Sequence, residues 1–241
     1  MHDAAIRTPT KMALFLDVDG TLLDFAQRPD TVRVPDDLPA ALLAASHRLG
    51  GALALISGRP IKELDALFAP ATLPVSGLHG AEMRLSPGAE ATVAAPLPPQ
   101  VAVSLRIQLA GMTGIEIEDK GASLAVHFRA APAIAAELRD AVFAFLARAD
   151  IPALEVLVGE MVYELKPGGF DKGTALSRFM QLVPFAGKAP VFVADHPIDQ
   201  AAFDAAAQLG GMGLSVGRLL PGAAGWFSSP TAVREWLKTA S

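Results

Sequence analysis

Cysteine is absent from this 241-residue chain, and its absence excludes disulfides and thiolate metal sites. Runs of basic residues are also missing and the formal net charge is −5, so we expect neither nucleic acid nor a membrane as partner. No apolar stretch is long enough to cross a bilayer, and the opening segment MHDAAIRTPTKM lacks the apolar region of a secretion signal. These absences predict a soluble, cytoplasmic protein.

Hydrophobic residues make up 51% of the chain and charged residues only 19%, so a sizeable core can form. The length exceeds that of most single domains, yet it is short for two domains of full size. We therefore expect one main body that carries a smaller inserted module.

The outer parts of the chain alternate between strand and helix patterns. An apolar strand runs into the segment LDVDG, a helical pattern closes at Gly50, and the strand ALALI precedes a helix that begins at Pro60. After Pro167 the same alternation resumes with a glycine loop, a helix over 172–182 and the strand PVFVAD. This order predicts an α/β fold, with a doubly wound parallel sheet of the Rossmann-like type.

The middle of the chain follows a different order. A helix after the proline cluster at 96–99 precedes two alternating strands, and a second helix over 132–149 precedes two more. A helix–strand–strand order that occurs twice predicts an antiparallel sheet with one covered face. We expect residues 98–166 to form this inserted α+β cap domain, and residues 1–97 and 167–241 to form the core.

Acidic residues follow two of the predicted parallel strands. Asp17 and Asp19 end the first strand, and Asp195 ends PVFVAD. The carboxyl ends of parallel strands meet at one edge of a sheet, and carboxylates gathered there repel each other unless a cation lies among them. Oxygen donors without suitably spaced histidines suit Mg²⁺ better than zinc, so we expect Asp17 and Asp195 to share a Mg²⁺ ion. For Asp199 a helix N-cap is the alternative interpretation.

Four short segments resemble the motifs of the haloacid dehalogenase-like (HAD) phosphohydrolases. LFLDVDGTLLDF is similar to their first motif, ISGRP to the second and FDKGTAL to the third, while Asp195 and Asp199 match the acidic fourth motif. Within that superfamily the stretches GLHGAEMR, IEDKGASLAVHFR, GEMVYELKPGGFDKGTAL and LGGMGLSVG resemble the trehalose-6-phosphate phosphatase family, in the same order. The resemblance spans roughly residues 12–217.

The resemblance implies a role for each matched residue. Asp17 would be the nucleophile that forms an aspartyl-phosphate, and Asp19 would protonate the leaving oxygen and then activate water. Lys172 would offset negative charge between nucleophile and phosphate. The phosphate-binding residues would be Thr21, Ser57 and Gly58. The metal ligands would be Asp17, Asp19 (through its main-chain carbonyl) and Asp195, with His196 and Asp199 as supporting residues.

Strand periodicity in the middle module places charged side chains on common faces. Glu118 and Lys120 share one face of their strand, His127 and Arg129 another, and Glu164 and Lys166 a third. The family resemblance assigns Glu118, Lys120 and Glu164 to the sugar, and Arg129 is a further candidate. The alternative is that this alternation is only the solvated face of a half-covered sheet.

The fourth motif departs from the family pattern. Relatives carry Gly-Asp-Asp-x-Thr-Asp-Glu, whereas residues 194–200 here read ADHPIDQ. The expected metal ligand Asp195 is kept, but His196 and Gln200 replace two acids. Since losses around a metal site typically cost about 10–100-fold in affinity or activity, our hypothesis is an active enzyme that binds Mg²⁺ weakly.

The resemblance implies a Mg²⁺-dependent phosphatase that hydrolyses trehalose 6-phosphate to trehalose and phosphate, as in trehalose biosynthesis, and we expect it to be a monomer. One alternative is a phosphatase of another sugar phosphate, such as sucrose phosphate or glucosylglycerol phosphate. The other is a catalytically impaired regulatory protein that binds a sugar phosphate.

Overall fold

The computed structural model of the chain describes residues 8–24, 31–94, 96–148 and 154–240. The chain divides into two compact units. The first, called the core unit below, comprises Met1–Thr92 and Asp171–Ser241, and the second, the cap unit, comprises Val93–Phe170. No helix within the described residues is long and apolar enough to cross a membrane.

An eight-stranded sheet forms the centre of the core unit. With strands numbered in chain order through both units, its members are β1 (Met12–Leu16), β2 (Leu53–Ile56), β3 (Val75–Gly77), β4 (Glu82–Arg84), β5 (Thr92–Val93), β10 (Ala189–Ala194), β11 (Met212–Val216) and β12 (Ala223–Phe227). The spatial order is β12-β11-β10-β1-β2-β3-β4-β5. Strands from β12 to β3 are parallel, and β4 runs antiparallel to β3.

Helices cover both faces of this sheet. They are α1 (Leu38–Arg48), α2 (Ile61–Phe68), α5 (Lys172–Phe179), α6 (Gln200–Gln208) and α7 (Pro230–Leu237). Alternate side chains of β1 point to opposite faces, so Leu14 packs in one hydrophobic cluster with α1, α2 and α7, while Phe15 packs in a second with α5 and α6. Burial on both faces explains why the central strands are apolar throughout.

The cap unit is a four-stranded antiparallel sheet with two helices on one face. Its elements are α3 (Pro99–Gln108), β6 (Glu116–Asp119), β7 (Leu124–His127), α4 (Ala135–Arg148), β8 (Leu154–Gly159) and β9 (Val162–Pro167), with the strands in the order β6-β7-β9-β8. Leu124, Val126 and Leu165 pack against Leu105 and Leu138 of the two helices. The opposite face of the sheet carries the polar residues.

The structure confirms the predicted fold class, a doubly wound α/β core with an inserted α+β module. Two details of the prediction were wrong. The helix predicted over 172–182 ends at Phe179, and it is followed by a turn that buries Phe185 against Phe15. Strand β12 and helix α7 follow β11, where no element was predicted.

Candidate active site

The chain leaves strand geometry directly after β1. Asp17 donates its backbone N–H to the carbonyl of Val193 in the neighbouring strand β10, at 2.9 Å. The carbonyl of Val18 then accepts the backbone N–H groups of Thr21, Leu22 and Leu23, at 2.9–3.3 Å. Gly20 has a φ of +76°, a conformation that glycine adopts without steric cost. This tight turn is held at the carboxyl edge of the sheet, where ligands of open α/β folds bind.

Three carboxylates meet beside this turn. Asp17, Asp195 and Asp199 each offer an oxygen within 4.8 Å of the other two. The Nζ atom of Lys172 lies 2.7 Å from Oδ1 of Asp17 and 2.7 Å from Oδ1 of Asp199. Three ionised carboxylates and one ammonium carry a net charge of −2. A divalent cation would balance that charge.

Burial and neighbouring charges shift the pKa values of Asp17, Asp195 and Lys172. Burial raises the pKa of Asp17 to about 6, although the charge of Lys172 opposes the shift. Burial together with the neighbouring charge of Asp17 raises the pKa of Asp195 to about 8. Burial lowers the pKa of Lys172, but its two carboxylate partners outweigh this and the net shift is upward. Without a metal ion, Asp17 and Asp195 therefore tend to bind protons. A bound cation would favour their ionised forms instead.

Asp199 occupies the N-cap position of α6, as the alternative interpretation has it, but its side chain makes no capping hydrogen bond. The side chain is only 1% exposed, and its Oδ2 atom has no hydrogen-bond partner in the structure. The buried Oγ1 atom of Thr21 has none either. Buried polar atoms are normally satisfied, so these oxygens indicate a ligand. Oxygen donors of this kind fit Mg²⁺.

Lys172 is the first residue of α5, and the local sequence fixes it there. Asp171 accepts a hydrogen bond from the backbone N–H of Thr174 at 2.6 Å, and its own N–H donates to the Thr174 hydroxyl at 2.9 Å. This reciprocal arrangement is a capping box, which satisfies the first N–H groups of a helix. The ammonium group of Lys172 thereby reaches the carboxylates with little freedom to move.

The carboxylate of Asp19 does not join the acidic cluster. It accepts two hydrogen bonds from Arg59, 2.7 Å from Nε and 2.8 Å from the terminal nitrogen Nη2. Arg59 also contacts Glu63, one turn further along α2, at 3.3 Å. The sequence analysis missed Arg59, although it belongs to the ISGRP segment that was quoted for Ser57. Its partner could not be identified because the pair joins residues from two different loops.

Ser57 and Gly58 follow the neighbouring strand β2. Ser57 is buried, and its hydroxyl accepts the backbone N–H of Arg59 at 3.2 Å. A side chain at Gly58 would place its Cβ only 2.5 Å from the ring of His79. His79 holds that place through a left-handed backbone (φ +53°) and an N–H donated to the carbonyl of Ser57 at 3.0 Å. The His79 ring can therefore pack this closely against the loop only because residue 58 is glycine.

The polar face of the cap sheet brings several predicted residues together. Sheet register aligns Glu118 with Ala125 and Ala125 with Glu164, so both acids lie on the face opposite the helices. Glu164 lies 3.3 Å from the Lys120 ammonium and accepts a hydrogen bond from the Ser123 hydroxyl at 2.6 Å.

His127 and Arg129, which strand periodicity places on a common face, lie at and beyond the end of β7. His127 lies 2.9 Å from Glu118, and the hydrogen bond between them lowers the pKa of Glu118 although burial opposes the shift. Arg129 lies beyond the end of β7, is about half exposed, and contacts Glu160 at 3.9 Å. Sequence spacing placed the acids on common faces, but their partners Ser123 and His127 emerge only from strand pairing.

The chain is similar to known proteins over most of its length. A sequence model of the trehalose-phosphatase family matches residues 15–219. A probable trehalose-phosphate phosphatase of Sinorhizobium fredii is 41% identical over 222 residues, which cover 91% of this chain and 83% of that protein. The trehalose-6-phosphate phosphatase of Escherichia coli is 38% identical over 224 residues, covering 90% and 83%.

Among solved structures, the C-terminal domain of the trehalose-6-phosphate phosphatase of C. albicans superposes with a TM-score of 0.81 at 20% identity. The match covers 95% of this chain and 91% of that one, so the fold is shared across nearly the whole length. The family match and the two relatives extend that likeness from fold to sequence. This chain belongs to the trehalose-phosphatase family, whose members are phosphoric monoester hydrolases.

Proposed function

We propose that this protein is a Mg²⁺-dependent phosphatase that hydrolyses trehalose 6-phosphate to trehalose and phosphate through an aspartyl-phosphate on Asp17. The observation that carries the proposal is the buried cluster of Asp17, Asp195, Asp199 and Lys172, whose net charge is −2 when all three carboxylates are ionised. Its relatives at 38–41% identity bear the names of trehalose-phosphate phosphatases, which supports the substrate. Hydrolysis of a phosphate monoester needs rate gains of up to ~10²¹, so the active site must above all neutralise the phosphoryl charge and position the reacting groups.

In the first step a carboxylate oxygen of Asp17 attacks phosphorus, and the bond from phosphorus to the sugar oxygen breaks. Asp19 gives a proton to that oxygen as trehalose leaves. In the second step Asp19 takes a proton from water and the water oxygen bonds to phosphorus. The bond between phosphorus and Asp17 breaks, which frees the Asp17 carboxylate and forms phosphate. Lys172, whose Nζ atom lies 2.7 Å from Oδ1 of Asp17, would offset part of the negative charge.

Bound Mg²⁺ would offset the charge of the nucleophile and of the phosphoryl group. We propose Asp17, Asp195 and the main-chain carbonyl of Asp19 as its direct ligands. Asp199 is a supporting residue that the structure brings into the same carboxylate group. His196, next to Asp195, supports the turn rather than the ion, since its ring accepts the N–H of Ile198 at 3.2 Å.

The phosphoryl oxygens would be bound by the Thr21 and Ser57 hydroxyls and by the backbone N–H of Gly58. The unpartnered hydroxyl of Thr21 supports this assignment, because a bound phosphoryl group would satisfy it. The sugar hydroxyls would be bound by the cap residues Glu118, Lys120 and Glu164, with Arg129 as a further candidate. Carboxylates and ammonium groups suit this task because a sugar offers many donors and acceptors.

Phosphate release from a panel of sugar phosphates tests the proposal. The panel comprises trehalose 6-phosphate, sucrose 6-phosphate, glucosylglycerol phosphate and glucose 6-phosphate, and Asp17→Asn is the control. We expect the highest kcat/KM with trehalose 6-phosphate and no turnover by Asp17→Asn. Preference for another sugar phosphate would support a phosphatase but contradict the proposed substrate. Phosphate release from none of them would favour a binding protein.

We also infer that the protein acts as a cytoplasmic monomer with no nucleic-acid or membrane partner. Its net charge of −5 and the lack of basic runs support this, because polyanions and anionic bilayers attract basic surfaces. Light scattering during size-exclusion chromatography should give the mass of one chain, and the mass of two would contradict it.

A further inference from the structure

Arg59 donates hydrogen bonds to both carboxylate oxygens of Asp19, the residue proposed as general acid and base. The two residues come from different loops, Asp19 from the turn after β1 and Arg59 from the loop after β2. The contact is bidentate, at 2.7 and 2.8 Å, and the Arg59 side chain is only 12% exposed. Bidentate pairs between guanidinium and carboxylate combine strength with geometric specificity. This pair therefore fixes the orientation of Asp19 and not merely its charge.

The backbone of Arg59 is itself immobilised. Its N–H donates to the Ser57 hydroxyl at 3.2 Å, and its carbonyl accepts the N–H of Leu78 at 3.1 Å. A side chain at Gly77 would place its Cβ 2.7 Å from that carbonyl, so the end of β3 can approach Arg59 this closely only because residue 77 is glycine. Arg59 thus links the loop after β2, which carries Ser57 and Gly58, to Asp19.

The two contacts restrict how the Asp19 carboxylate can turn. One oxygen accepts from Nε of Arg59 and the other from Nη2, so rotation of the carboxylate about its bond to Cβ would break at least one of the two hydrogen bonds. The pair therefore favours one orientation of Asp19.

A second bidentate pair, between the buried Arg84 and the partly exposed Asp65, shows what a purely structural arginine does in this protein. Arg84 pairs with both oxygens of Asp65 at 2.7 and 2.8 Å and also donates to the carbonyl of Leu73. It ties β4 to α2 and contacts none of the proposed site residues. Arg59 differs because its partner lies two residues from the proposed nucleophile.

We propose that Arg59 is a positioning residue that holds Asp19 in the orientation needed to activate water against phosphorylated Asp17. This inference rests on the proposed function. It locates the effect of Arg59 in the second chemical step, in which a water O–H bond breaks, its proton goes to Asp19, and the phosphorus–Asp17 bond breaks as phosphate forms.

The test is a double-mutant cycle on the decay of the phosphoenzyme. The enzyme is phosphorylated with ³²P-labelled p-nitrophenyl phosphate, whose leaving group needs little protonation, and loss of label from Asp17 is followed after a chase. We expect Arg59→Gln to slow the decay at least about tenfold, since acid–base catalysis contributes about 10²–10⁴-fold. Arg59→Lys should recover only part of the rate, because an ammonium group lacks the planar fork.

In the Asp19→Asn background, Arg59→Gln should cause no further slowing, since the residue that it positions is already disabled. Arg84→Gln is the matched control, and it should leave the decay rate unchanged. Thermal unfolding of every variant reports folding, and Arg59→Lys keeps the test valid if Arg59→Gln does not fold. A decay at the wild-type rate in Arg59→Gln would overturn the inference, and so would an equal further slowing in Asp19→Asn.

Failure of the inference and failure of the proposed function give different results. If no label is bound, or if Asp19→Asn decays at the wild-type rate, the mechanism through Asp17 and Asp19 is wrong. If Asp19→Asn decays slowly while Arg59→Gln decays normally, only the role of Arg59 is wrong.

Discussion

At the scale of single residues, His196 shows how the altered fourth motif keeps its shape while it loses charge. Its Nδ1 atom accepts the backbone N–H of Ile198, so the ring caps the short turn at residues 197–199. An aspartate commonly makes the same bond at such a position. The substitution therefore keeps the turn that presents Asp195 and Asp199 and removes a negative charge beside them.

Restoring that charge should strengthen metal binding. We expect His196→Asp to lower the Mg²⁺ concentration for half-maximal phosphate release by up to about tenfold, since neighbours of metal ligands commonly tune affinity on that scale. His196→Asn, which keeps a capping oxygen without the charge, is the control and should lower it little. The measurement is a Mg²⁺ titration at saturating sugar phosphate. Equal values for His196→Asp and the wild type would show that the lost charge is irrelevant.

The residues of the acidic cluster could be predicted to different degrees. Asp17 and Asp195 follow apolar strands that had to be parallel, so their proximity could be inferred from the chain alone. Lys172 needed the family motif, because a lysine at a helix start is otherwise unremarkable. The contact of Asp199 with Lys172 could not be foreseen, since it depends on how α5 packs against α6.

At the scale of elements, the strands of the cap unit were predictable from their period of two. Glu116 and Glu118 alternate with Ile115 and Ile117, and these two apolar residues pack against the cluster that includes α3 and α4, as the pattern requires. Strand β12 was missed because its sequence AAGWF follows Pro221 and Gly222, contains a further glycine and has no clear alternation. Helix α7 lies next to it, and its start at Pro230 with the Ser229 cap was a signal that could have found it.

The polar face of the cap sheet leads to a prediction on substrate binding. Glu164 is held by Ser123 and Lys120, so Glu164→Gln changes the charge while it keeps the shape. We expect KM for trehalose 6-phosphate to rise about 10–100-fold, because hydrogen bonds to charged groups are worth about 1.5–3 kcal/mol. Turnover of p-nitrophenyl phosphate, which has no sugar, should change little.

Glu137→Gln is the matched control, since Glu137 is exposed on α4, away from the polar face. An unchanged KM for the sugar phosphate in Glu164→Gln would mean that this face is only the solvated side of the sheet.

At the scale of the whole molecule, the acidic cluster links stability to pH and to metal. The folded-state pKa values of Asp17 and Asp195, about 6 and about 8, lie above the ordinary value of 3.8. Between about pH 4 and pH 8 the metal-free folded protein therefore binds more protons than the unfolded chain, and its stability falls as pH rises. Metal binding favours the ionised carboxylates, so it opposes that loss.

Thermal unfolding at several pH values measures this linkage. We expect the rise in Tm on adding Mg²⁺ to be small at pH 5 and clearly larger at pH 8. In Asp195→Asn the pH dependence of the Mg²⁺ effect should be weaker. A Mg²⁺ effect that is the same at both pH values would show that these carboxylates do not take up the ion.

The central claim is that the carboxylates at the ends of β1 and β10 hold a divalent cation that the phosphatase reaction needs. The most direct measurement is phosphate release from trehalose 6-phosphate by chelator-treated protein as Mg²⁺ is added back. We predict no release without the ion and a saturable recovery with it, and no recovery in Asp17→Asn at any Mg²⁺ concentration. Full activity in metal-free protein, with metal content verified below one ion per chain, would contradict the account.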